Sequence, residues 1–165
     1  MSSEPAVPFE RKIVAPGQLA EAVASLPRPV VFTNGVFDIL HRGHATYLAE
    51  ARARGASLVV ALNGDDSVRR RGKGHDRPVN PLADRLALVA ALESVSLVSW
   101  FDEDTPLSLI LAVRPDVLVK GGDWPVDRIV GASEVQGWGG SVHSIPFRFE
   151  RSTTSLLGKI RASGG

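Results

Sequence analysis

Two histidines three residues apart, His41 and His44, close the run Thr33-Asn34-Gly35-Val36-Phe37-Asp38-Ile39-Leu40-His41-Arg42-Gly43-His44. Imidazole N–H groups can donate hydrogen bonds to phosphate oxygens. If the run leaves a strand and enters a helix, the helix N-terminus adds its own attraction for anions. Gly43 removes a side chain where the backbone must come close to something. Two histidines at this spacing can also meet one zinc ion, but the chain has no cysteine to complete such a site. His75 and His143 stand alone in sequence and no H-E-x-x-H pattern exists, so zinc chemistry is set aside.

Three further segments carry groups suited to phosphates and sugars. Between Arg69 and Arg77 lie five cations against one acid, a local charge of +4, and Arg77-Pro78-Val79-Asn80-Pro81 follows, leading to Arg85. A run of arginines is ordinarily a solvated face. Lys73, between Gly72 and Gly74, is different: a point charge on a glycine hinge suits a lid that closes over a polyphosphate. Lys120-Gly121-Gly122-Asp123-Trp124 offers a cation, an acid and a stacking surface, or else a tight turn with Trp124 as a core plug. Arg151-Ser152-Thr153-Thr154-Ser155 places four hydroxyls in succession, more than one N-cap requires, beside an arginine.

The elements that must position these groups alternate along the chain. Short apolar runs at 30–32, 58–62, 95–98, 117–119 and 142–145 read as strands. Amphipathic segments at about 17–25, 43–54, 81–93, 106–113, 127–137 and 153–162 read as helices. Gly55 suits a left-handed helix C-terminus, and Thr105-Pro106 suits an N-cap followed by proline at the first helical position. Strands apolar throughout and separated by helices predict an α/β fold: a Rossmann-like, doubly wound, parallel five-stranded sheet with helices on both faces. Ligands of such a sheet bind outside the carboxyl ends of its strands, where all four segments fall.

With 165 residues the chain suits one domain, expected over 12–165 behind a loose tail at 1–11 that Pro5 and Pro8 keep irregular. The lack of cysteine excludes a disulfide scaffold and a thiol nucleophile, and a net charge of +1 gives no reason to expect nucleic acid as a partner. No apolar run approaches the ~20 residues of a membrane span. A cytoplasmic protein with no membrane partner is expected.

Together these residues resemble the H-x-G-H nucleotidyltransferase superfamily, and within it the heptose 1-phosphate adenylyltransferase branch. The resemblance runs from about Lys12 to Ile160, through the histidine run, R-P-V-N-P-L-A-D-R, D-T-P, V-L-V-K-G-G-D-W and R-S-T-T. The chain departs from the family at Val36, commonly cysteine there, and lacks the fuller arginine-threonine-glutamate-glycine lead of cytidylyltransferases.

What the resemblance implies is transfer of AMP from ATP to D-glycero-β-D-manno-heptose 1-phosphate, releasing pyrophosphate. It assigns His41, His44 and Lys73 to catalysis. Thr33, Asn34, Gly35, Phe37, Gly43, Arg151, Ser152, Thr153 and Thr154 fall to the nucleotide, and Asp38, Arg85, Lys120, Gly121, Asp123 and Trp124 to the acceptor. Asp38 suits either a magnesium ion brought with ATP or the sugar, and Arg85 either a phosphate or a structural ion pair. The length leaves no room for a fused kinase, so a separate heptose kinase is expected upstream, and a homodimer is possible. Competing readings are glycerol-3-phosphate cytidylyltransferase, pantetheine-phosphate adenylyltransferase, a silent ATP-binding module and, last, a fragment of a class I aminoacyl-tRNA synthetase.

Overall fold

The computed structural model describes residues 4–72, 74–149 and 151–165. Five parallel strands, β1 (Val30–Gly35), β2 (Ser57–Asn63), β3 (Leu97–Phe101), β4 (Val117–Gly121) and β5 (Ser141–Ile145), form one sheet in the order β3-β2-β1-β4-β5. Among the described residues seven α-helices accompany them: α1 (Leu19–Ala24), α2 (Arg42–Arg52), α3 (Asp65–Arg70), α4 (Leu82–Ala90), α5 (Leu107–Val113), α6 (Ala132–Gly137) and α7 (Thr153–Ser163).

Alternation along the strands feeds two cores. Val30 and Phe32 of β1, with Val59 and Ala61 of β2, face a cluster with Leu19 of α1, Ile110 of α5 and Val135 of α6. Val31, with Leu58, Val60 and Leu62, faces Leu48 and Ala51 of α2 and Val89 of α4 on the other side. All seven β2 residues are buried because helices cover both faces, as the unbroken apolar run predicts. Strand order reverses at β1, which pairs with β2 on one side and β4 on the other. The crevice this opens at the strands' carboxyl ends is where such sheets take ligands.

Several sequence expectations need correction. The tail read as loose to residue 11 takes up a 3-10 turn from Pro8 to Lys12, and Phe9 packs against the second core. Burial of that ring outweighs the irregularity that the prolines impose. Helix α3 is unforeseen, since Asp65-Asp66-Ser67-Val68-Arg69-Arg70 shows too little apolar periodicity. It has its acids in the first turn and arginines in the last, matching the helix dipole. The single helix read at 127–137 is a 3-10 turn at Val126–Arg128 and then α6, separated at Gly131 with φ +86°. Thr105 caps nothing; Pro106 is itself the N-cap of α5.

Gly55 does not take the left-handed conformation expected of it. Its role is clearance: a Cβ there would lie 2.6 Å from the Pro29 carbonyl oxygen and 2.7 Å from Val31 Cγ2. Gly55→Ala is therefore expected to destabilise the fold by about 1–3 kcal/mol, because backbone must shift. That corresponds to a Tm lowered by several degrees in a thermal melt, and an unchanged Tm would refute the clearance argument.

Candidate active site

Strand β1 delivers Asn34 and Gly35 to the crevice, and the loop behind them turns sharply at Phe37, whose φ of +50° is unusual for a non-glycine residue. Gly35 allows that turn, since a Cβ would lie 2.8 Å from the Phe37 ring. His41 is the N-cap of α2, its Nδ1 accepting a long 3.4 Å hydrogen bond from the His44 backbone N–H. The two imidazoles stack with centroids 3.8 Å apart, and Phe37 meets His44 edge-on at 5.1 Å.

A Cβ on Gly43 would lie 2.9 Å from the His41 ring, so this glycine makes room for an imidazole. Burial, and then the neighbouring His41, push the His44 pKa down to about 4. Burial and Arg151 lower that of His41 as well. At neutral pH both rings are therefore uncharged donors. His44 Nδ1 is buried without a partner among the described residues, which leaves Nε2 as the nitrogen able to reach a ligand.

The N-terminus of α7 comes to the same place. Ser152 caps it, accepting the Ser155 N–H at 3.0 Å. Thr153 is buried, and its Oγ1 donates to the Ile39 carbonyl at 3.2 Å and accepts from the Ile39 N–H at 3.4 Å. Thr153 is thus a latch between α7 and the loop before α2, and its hydroxyl is not a free phosphate donor as expected. Two of the four successive hydroxyls have structural work. Arg42 and Arg151 lie over the Phe149 ring at 3.8 and 5.3 Å.

Asp38 and Arg85 are corrected in role. The buried Asp38 carboxylate accepts Arg77 Nε at 2.7 Å, Asn80 N–H at 2.9 Å and Val79 N–H at 3.0 Å. Burial raises its pKa, but the Asn80 and Val79 N–H groups and Arg77 outweigh this and hold it below the ordinary value. With its oxygens filled, Asp38 has none to offer a metal or a sugar. Arg85, fully buried, donates to the carbonyls of Asn80, Val36 and Asn63 and pairs with Asp65 at 2.7 Å. Of the two roles open to it from sequence, the structural ion pair is the one it takes.

Two cavities share the crevice. The first, about 350 Å³, brings together Asn34, Gly35, Phe37, His41, His44, Lys120, Gly121 and the residues Arg151, Ser152, Thr153 and Thr154. The second, about 190 Å³, shares Asn34, Arg71 and Lys120 with it and adds Trp124 and Arg128. Trp124 is 50% exposed, so it is not a core plug. Asp123 is exposed and, with Thr33 and Gly43, lines neither cavity. The Thr33 hydroxyl is buried at 2.5 Å from the Tyr47 hydroxyl, so that hydroxyl is engaged within the fold.

Lys73 lies outside the described residues. Arg77, Tyr47 and Phe147 line the first cavity without having been assigned there from sequence. Tyr47 stands one helical turn beyond His44, a spacing that could have revealed it. Among the described residues no group of three His, Asp or Glu side chains could hold a metal ion. No helix among them is long and apolar enough to cross a membrane.

The family model described as cytidylyltransferase-like matches residues 32–158. A D-beta-D-heptose 1-phosphate adenylyltransferase of Bordetella bronchiseptica is 60% identical over 155 residues, covering 93% of this chain and 96% of that protein. The bifunctional protein HldE of Alcanivorax borkumensis is 52% identical over 132 residues, 80% of this chain but only 28% of its own length. Among solved structures, a lipopolysaccharide core biosynthesis protein from Thermoplasma volcanium GSS1 superposes with a TM-score of 0.59 at 30% identity. That match covers 74% of this chain and 98% of that one.

The depressed His44 pKa links stability to pH. Between its ordinary 6.5 and about 4 the unfolded chain binds a proton that the folded one does not, so stability is lost as pH falls through this window. The loss is about 3 kcal/mol. His44→Asn should flatten that part of the urea-denaturation profile; an unchanged slope would show that His44 is not the group responsible.

Proposed function

We propose that this chain, which belongs to the cytidylyltransferase-like family, transfers AMP from ATP to the phosphate of D-glycero-β-D-manno-heptose 1-phosphate, giving ADP-heptose and pyrophosphate. The observation that carries the reading is the meeting of two helix N-termini, the histidine-bearing start of α2 and the hydroxyl-bearing start of α7, in one cavity. Both ends favour anions, as the charge on a triphosphate requires. The 60% identical heptose 1-phosphate adenylyltransferase supports the acceptor. The 30% identical lipopolysaccharide core biosynthesis protein supports a place for the product in lipopolysaccharide core biosynthesis.

The attacking group is an oxygen of the sugar phosphate, ionised at pH 7, so no general base is required. It bonds to the α-phosphorus as the bond to the β-phosphate oxygen breaks, and pyrophosphate leaves with the electron pair. What the protein contributes is alignment and stabilisation of charge. His44 Nε2 donates to the α-phosphate and His41 to its neighbour. Arg151, Ser152, Thr154 and the free N–H groups of α7 take the β- and γ-phosphates.

The smaller cavity suits the acceptor: Lys120, Arg71 and Arg128 offer cations to its phosphate, and Trp124 offers a face to the sugar ring. Gly121 keeps the passage open, because a Cβ there would press on Phe147 at 2.8 Å. Magnesium enters as MgATP, a substrate complex, since the filled Asp38 carboxylate does not fit a resident ion. A kinase-class reaction must supply the heptose 1-phosphate, and an ATP-dependent step of this kind belongs in the cytoplasm.

Pyrophosphate release from ATP, magnesium and heptose 1-phosphate tests the reading, with CTP as competitor to test base choice. His44→Ala should lower kcat about 100- to 1000-fold, and turnover equal to wild type would remove that histidine from the chemistry. Trp124→Ala should raise KM for the sugar phosphate and leave KM for ATP unchanged. The opposite pattern would place the acceptor elsewhere.

A further inference from the structure

The buried Asp38–Arg77 pair does more than join two loops. Side-chain exposure is 5% for Arg77 and 0% for Asp38, yet Arg77 lines the larger cavity. Its Nε is held by Asp38 at 2.7 Å, and one amino group reaches Thr154 Oγ1 at a long 3.4 Å, at the first turn of α7. The other amino group has no hydrogen-bond partner among the described residues. Guanidinium has five donors and no acceptor, so a buried one left incompletely satisfied in a cavity is arranged for an anion.

We propose that Arg77 is a triphosphate-binding residue, with Asp38 as the positioning residue that fixes its fork toward the first turn of α7. The inference rests on the reading of this cavity as a nucleotide site and adds a residue to it.

Three observations support it. Among the described residues lining that cavity, Arg77 is the cation that is buried; Arg71 and Arg151 are exposed and Lys120 is half-buried. A buried cation acts through a lower effective dielectric than an exposed one. The histidines are neutral at pH 7, whereas an arginine keeps its charge at any working pH. Stability alone does not account for the pair, because a buried ion pair is commonly no better for folding than an apolar substitute.

Calorimetric binding of ATP, pyrophosphate and adenosine to wild type, R77K and the double variant D38N/R77Q tests the proposal. The double variant removes both charges together, so no lone carboxylate is stranded in the core, and a thermal melt checks its fold. Loss of a charge-assisted hydrogen bond should weaken ATP and pyrophosphate binding about 10- to 100-fold in the double variant. R77K should fall between it and wild type, and adenosine affinity should stay unchanged. Unchanged pyrophosphate affinity in both variants overturns the proposal, as does an equal loss for adenosine and pyrophosphate, the mark of a merely structural role. If the double variant does not fold, R77K alone decides by the same comparison. Wild type that binds ATP and pyrophosphate but does not turn over heptose 1-phosphate would overturn the proposed acceptor and leave the Arg77 comparison intact. Wild type that binds neither overturns both.

Discussion

The Asp38 carboxylate is the contact on which the crevice depends. It lies in the loop after β1 and accepts from Arg77, Val79 and Asn80, which belong to the segment leading into α4. Asn80 returns a hydrogen bond from its side chain to the Asp38 carbonyl at 2.8 Å. One ionised side chain, stripped of water, thereby fixes two loops from different strand connections. A buried carboxylate persists only when hydrogen bonds replace its hydration, and here backbone N–H groups and a guanidinium do so. Arg85 secures the same junction from beneath by bonding the carbonyls of Val36, Asn63 and Asn80.

With those loops fixed, the electrostatics of the crevice divide into two kinds. The stacked imidazoles are directional, uncharged donors at neutral pH, because burial opposes a second proton on each, reinforced by His41 beside His44 and by Arg151 beside His41. Permanent charge comes from arginines and from Lys120, and the helix N-termini add partial charge without a titrating group. Such an arrangement suits a reaction in which an anion attacks an anion, where alignment and neutralisation matter more than proton transfer.

Helix α7 illustrates how a motif that looks functional throughout is shared between holding the fold and lining the cavity. Thr153 spends its hydroxyl on both backbone groups of Ile39, and Ser152 spends an oxygen lone pair on the cap. Those bonds seat the helix so that Arg151 and Thr154 line the cavity. Gly43 is similar: its missing side chain serves the His41 ring, and through it the stacking of the two histidines. In each case a residue at the crevice acts by placing another.

Much of this was legible in the sequence. Short apolar runs separated by amphipathic segments read as strands of a sheet covered on both faces, and the four chemical segments fall on the loops after such strands, so the fold and the gathering of those segments at one crevice follow from local pattern. The histidine pair, the α7 start and the Lys120-to-Trp124 segment lie where their spacing placed them. The individual duties of Thr33, Asp38, Gly43, Arg85 and Thr153 were not legible, nor was the place of Arg77. Sequence fixes which side chains a strand or helix presents, because that depends on neighbours a few residues away. Whether a carboxylate or hydroxyl remains free for a ligand depends on partners such as Asn80, Tyr47 or Ile39, brought from 14 to 114 residues away by packing of the tertiary structure. A buried polar atom takes the hydrogen bond it finds there, and only folding decides which one that is.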